Sequence, residues 1–244
     1  MATTANHDTG PAENEENEAQ PWKVIDEGDL ILVVGADETK IQVSSGFLKH
    51  ISPVFRAMFN SNMSEGRAIR DRTGNDPVEV YLPADQPRAV LHALRAQYGT
   101  DPDSLNISTR IIRDVAMFVD KYDMVARFKP IGMIWLEMPP TTMDPPDRQA
   151  GWDLLAAAYW LDLSKPFYIM SQYFIRTNLP LLEYAVGLPD ENLGLRLALA
   201  IEQIRLANAY RHEEVGVCLD CFTQATTSFV EKLPGCRYSG RHLW

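Results

Sequence analysis

The chain has 244 residues, 45% of them hydrophobic and 23% charged, a globular balance with enough apolar material for a sizeable core. Its formal charge of −10 argues against nucleic acid as a direct partner, because such binding rests on Lys and Arg meeting phosphates. Three cysteines are too few for a disulfide scaffold, no basic-then-apolar leader opens the sequence, and no apolar run approaches the ~20 residues of a membrane span.

These features predict a soluble protein of the cytoplasm and/or nucleus with no membrane partner. Half of the net charge lies on Asp8, Glu13, Glu15, Glu16 and Glu18, with no Lys or Arg beside them. Residues 1–21 hold little to bury, so a disordered acidic tail is expected there.

Order is expected from Trp22. Leu30–Val34 is a continuous apolar run, the pattern of a strand buried on both faces. Lys40–Val43 alternates polar and apolar residues after the turn "GADET", so the two read as a hairpin. From Phe47 the period changes: Phe47, Leu48, Ile51, Val54, Phe55, Met58 and Phe59 recur at the three- and four-residue steps of a helix face. Pro53 would break one long helix, but Ser52 is a good N-cap and Pro is tolerated at the first helical position, so two helices meeting at Ser52-Pro53 are predicted.

"RDRTGNDP" (70–77) reads as a loop and Val78–Leu82 as a third strand ended by Pro83. Asp85 is expected to cap a helix carrying Val90, Leu91, Leu94 and Tyr98. A further helix begins near Thr109. Beyond residue 129 no strand pattern stands out. A proline-rich connection (139–148) lies among helical patterns at 131–136, 152–161, 167–176, 192–210 and 213–233. The predicted class is α+β for residues 22–129, followed by an all-α region over 130–244.

The order of these elements carries a resemblance. An Asp-led apolar strand, a hairpin partner, "FLKHISPVFRAMF", a later "VEVYLP" strand and "VDKYDM" on a helix resemble a BTB/POZ domain over about residues 26–127. Asp29 matches the acidic residue opening the family's first strand. Ser52, Pro53, Phe55 and Phe59 match its Ser-Pro-x-Phe-x-x-x-Phe core, and Asp120-Lys121-Tyr122 its later helix signature. Ser44 and Ser45 stand where the family often has a His, and residues 1–20 lack the apolar content of the exchanged element of many dimeric members. The region after residue 130 is similar to the helical extensions of BTB proteins, including fungal ones, that have no kelch, MATH or zinc-finger module.

What the resemblance implies is protein–protein interaction rather than catalysis. In BTB adaptors of cullin ubiquitin ligases a hydrophobic-x-Glu element follows the helix after Ser-Pro and contacts the cullin. Met63 and Glu65 match it in type and position, and Tyr122 falls on the helix implied to line the other side. The expectation is a substrate adaptor. The alternative is a homo-oligomeric scaffold or transcription-associated BTB protein without cullin binding. "EGRAIRDR" read plainly is a solvated loop, and both readings of it stay open.

Other chemistry finds less purchase. "VVGADETK" lacks the second glycine of a phosphate-cradling loop, and neither G-x-S-x-G nor H-E-x-x-H occurs, so no catalytic residue and no cofactor are expected. Arg67, Arg70 and Arg72 are interrupted by Asp71 and Asp76 and read as a solvated face. His212, Cys218, Cys221, Cys236 and His242 crowd the C-terminal stretch, and Cys218-x-x-Cys221 has a ligand-like gap. Cys218 falls on the apolar stripe of the helix predicted over 213–233, so the cysteines are expected to pack as small hydrophobes, with no metal.

Overall fold

The computed structural model of the chain describes residues 20–74, 76–99, 102–137, 147–177, 179–209 and 214–236. The expected acidic tail, apart from its last two residues, and positions 139–146 of the proline-rich connection lie outside them.

A four-stranded sheet in the order β1-β3-β2-β4 organises the first half. Strand β2 (Leu30–Val34) is buried along its whole length, as its unbroken apolar run requires. It pairs antiparallel with β3 (Thr39–Val43), Leu32 opposite Ile41, and parallel with β4 (Val78–Leu82), Leu32 opposite Val80. A short β1 (Trp22–Lys23), which no sequence pattern announced, adds parallel to β3.

Helices α1 (Ser45–Ile51) and α2 (Pro53–Asn60) meet at Ser52, whose hydroxyl accepts the Phe55 amide, with Pro53 at the first helical turn. Phe55 and Phe59 enter the core, whereas Pro53 is exposed and Asp29 half-buried. Helix α3 (Ser64–Arg70) occupies most of the stretch whose plain reading was a solvated loop. After β4, α4 (Pro87–Tyr98) starts at Gln86 without a side-chain cap and is closed by Gly99 in the left-handed region. Asp85 does not cap it.

Helix α5 (Thr109–Lys121) starts at Ser108, whose hydroxyl accepts the Ile111 amide. Helix α6 (Val125–Glu137) runs unbroken through the expected boundary at residue 129, carrying Pro130 inside it. Asp147 caps α7 (Arg148–Trp160) through the Gln149 and Ala150 amides. Helices α8 (Ser164–Arg176), α9 (Leu182–Val186) and α10 (Glu191–Asn208) follow, α9 being too short for a period to announce it. The helix expected over 213–233 is not formed. Residues 214–218 are irregular, α11 covers only Leu219–Gln224, and irregular chain follows to Cys236. The spacing of Cys218, Phe222 and Phe229 imitates a helix face, but Cys218 is the N-cap of α11 and Phe229 lies past its end, stacked on Phe222.

One continuous core runs through both halves, from Leu30 and Phe55 to Trp152 and Phe222. Its seam is the packing of α5 on α7. Apolar nearly all round, α7 is a core helix by composition, and its one acidic residue faces Arg113 of α5. The Arg113 guanidinium donates to Asp153 at 2.8 Å and, on its other edge, to Asp114 at 2.9 and 2.7 Å. Arg113 is 6% exposed and Asp153 3%. Burial, partly offset by Arg113 and the Gln149 amide, leaves the Asp153 carboxyl above the ordinary carboxylate range.

Candidate functional site

The corner between α2 and α3 presents Met63. Its side chain is 68% exposed, against the burial expected of so large an apolar group. The corner is fastened from both sides. Ser61 donates to the Met58 carbonyl and accepts the Met63 amide, while Arg70 reaches back from the end of α3 to the Ser61 carbonyl and the Asn62 amide oxygen. Gly66 permits the close approach, since a Cβ there would sit 2.2 Å from the Ser61 carbonyl oxygen. Glu65, half-buried in the first turn of α3, accepts from the Ser64 hydroxyl at 3.0 Å, a position that also suits the helix dipole. A flexible apolar plug and a carboxylate are thus held two positions apart on a braced turn.

Tyr122 is not part of this surface. Its ring is 3% exposed and stacks on Phe55 at 4.4 Å between centroids, 5° from parallel. The phenol donates to Asp85 at 2.8 Å, and Lys121 donates to both oxygens of the same carboxylate. This is the work of Asp85: it ties the end of α5 to the loop before α4 instead of capping α4. Burial first, then the bond to Asp85, pushes the Tyr122 phenol far above its ordinary range, so it remains a donor. Ser52 completes the tie by donating to the Tyr122 carbonyl at 2.7 Å. The sequence-predicted trio is therefore divided: Met63 and Glu65 at the corner, Tyr122 buried behind it and stacked on Phe55 of α2.

Asp29, expected as a strand opener, reaches across to α1. It accepts the amide and the hydroxyl of Ser45, both at 2.6 Å, with Arg72 at 3.8 Å from one oxygen. Burial alone would raise this carboxyl, but the Ser45 bonds and Arg72 outweigh it and hold it below the usual range. Ser45 thus makes a polar contact where the resemblance led one to expect a histidine.

Elsewhere, an open groove of about 480 Å³ lies between Trp22, Gln86, Arg88, Arg110 and Asp114, with Asp114 already bonded to Arg113. The three cysteines converge although they lie on no common helix face: the Cys218, Cys221 and Cys236 sulfurs all fall within 4.8 Å of one another. His212 and His242 lie outside the described residues. Burial, ahead of the neighbouring thiols, pushes Cys218 up to about 12. The sequence did show the ligand-like gap, but not the turn that returns Cys236.

No protein-family model matches the chain, and no curated protein matches it. Among the described residues no helix is long and apolar enough to cross a membrane.

Proposed function

We propose that residues 22–129 are a BTB/POZ-type interaction module and that the protein is an adaptor, docking a cullin-type ubiquitin-ligase scaffold through Met63 and Glu65 while the helical region holds a substrate. The observation that carries this reading is the braced α2–α3 corner, which keeps Met63 in solvent on a turn with little freedom to collapse. An exposed Met gives a deformable apolar contact, and a carboxylate two positions on fixes orientation through a charged one. The adaptor acts by raising effective concentration, not by chemistry. Tyr122 enters as a positioning residue, through Phe55.

A second reading, self-association without cullin binding, draws on a different surface. Leu195, Leu199 and Leu206 lie exposed along one flank of α10. Calorimetric titration of the full chain with the N-terminal region of a cullin separates the two. Micromolar or tighter binding is expected, lost at least tenfold in Met63→Asp and in Glu65→Lys with the fold intact. No binding by the natural sequence ends the adaptor reading and leaves self-association, read by sedimentation at low micromolar concentration.

A further inference from the structure

The segment 214–236 is held by means other than regular secondary structure. Before Cys218 it lies along α8, where the Val217 amide donates to the Ser171 hydroxyl at 2.7 Å and Gln172 donates to the Glu214 carbonyl at 3.0 Å. Cys218 then N-caps α11 and Cys221 follows in its first turn. The chain returns through Leu233-Pro234-Gly235-Cys236, closed by the Cys236 amide donating to the Leu233 carbonyl at 3.2 Å, with Gly235 at φ +82°. Proline second and a left-handed glycine third are what a tight turn of this kind demands. Its effect is to set the Cys236 sulfur 3.6 Å from that of Cys218, across a sequence separation of 18.

Several features of this cluster suit a metal ion. The 3.6 Å separation is close to the edge of a tetrahedron of sulfurs around zinc, about 3.8 Å for a Zn–S bond of about 2.3 Å. The widest separation allowed by the cluster, 4.8 Å, needs a closure of only about 1 Å. A backbone amide already faces one of the sulfurs: Leu233 donates to Cys221 at 3.4 Å, the kind of outer contact that orients a thiolate ligand. Among the described residues no His, Asp or Glu joins the set, and an all-sulfur donor set selects zinc over the hard cations magnesium and calcium. The irregular chain on either side of the six-residue α11 is also the kind of structure that a metal staples.

We propose that Cys218, Cys221 and Cys236 form a structural zinc site that pins the C-terminal segment onto α8. Three sulfurs fill three positions of a tetrahedral ion, and water takes the fourth.

The test is metal analysis of the full chain, purified without chelator from zinc-supplemented cells. About one zinc per chain is expected, falling to near zero in Cys221→Ala and Cys236→Ala and unchanged in Met63→Asp. Because an alanine variant can simply fail to fold, the natural chain stripped of metal is also titrated with cobalt. Strong sulfur-to-cobalt charge-transfer absorption, saturating at one equivalent, is the expected signature. A natural chain that retains no zinc and gives no such band overturns the site. So does a chain lighter by two hydrogens in non-reducing mass measurement and unable to take up metal, which would make two of the three cysteines a disulfide pair. Zinc retained in full by a folded Cys221→Ala/Cys236→Ala double variant overturns it as well.

Discussion

The two halves of the molecule hold their chain in opposite ways. In residues 22–124 polar side chains mostly bind one another or cap helices: Ser44, Ser52 and Ser108 each cap a helix, Asp29 grips Ser45, and Asp85 gathers Lys121 and Tyr122. In residues 164–236 they reach out to backbone carbonyls at and just beyond helix ends. Arg205 donates to the carbonyls of Phe174, Thr177 and Leu179, and Arg196 to those of Phe222 and Ala225. The first half is thus a set of regular elements with polar joints. The second is a helical core onto which irregular chain is tied by guanidinium groups, each presenting several donors in a fixed fork.

Breaking the seam between the halves has the largest expected effect. Asp153→Ala leaves Arg113 buried with only Asp114 to answer it, and a loss of about 3 kcal/mol is expected in urea unfolding. Replacing both partners, Arg113→Met with Asp153→Leu, recovers most of that loss if the penalty is the stranded charge rather than the lost contact. A single cooperative transition is expected throughout, since one core spans both halves.

A smaller effect sharpens the contrast. Arg205→Ala removes the ties to the chain after α8 and is expected to cost about 2 kcal/mol. Hydrogen exchange should show faster opening of the amides around 174–182, with those of β2 less affected. If β2 opens equally, the second half has no local unit of its own.

The smallest effect belongs to the first half. Asp29 has a depressed native carboxyl, so its contribution is present above the ordinary Asp value of about 3.9 and is lost as pH falls through that value towards the native one. Melting of the natural chain should therefore drop between about pH 5 and pH 3 more steeply than that of Asp29→Asn. Equal slopes would mean the Ser45 contact is matched by another in the unfolded chain.

The same division separates what the amino-acid sequence announces locally from what only distant contacts decide. Leu30–Val34, Lys40–Val43 and the break at Ser52-Pro53 were legible because periodicity, β-branched content and capping chemistry act locally. The run from Cys218 to Phe229 misled for the same reason: its three- and four-residue spacing is a helix signal, and only contacts with α8 and α10, among them the Gln203 side-chain oxygen accepting the Phe229 amide, decide otherwise. Met63 and Glu65 could be singled out from the chain, whereas the burial of Tyr122 could not, since it depends on Phe55 and Asp85 arriving from elsewhere. The Arg113–Asp153 pair leaves no local trace, because nothing near either residue announces a partner 40 positions away.

That pair has a consequence for the chain while it is being made. Synthesis delivers the sheet, α4 and α5 before α7 exists, so the growing polypeptide carries Arg113 and the apolar flank of α5 with their chief cover still unwritten. Asp114, the adjacent residue, can hold the guanidinium meanwhile, but the flank stays sticky until residues 148–160 emerge. Until then the nascent first half exposes apolar surface that only the later chain covers.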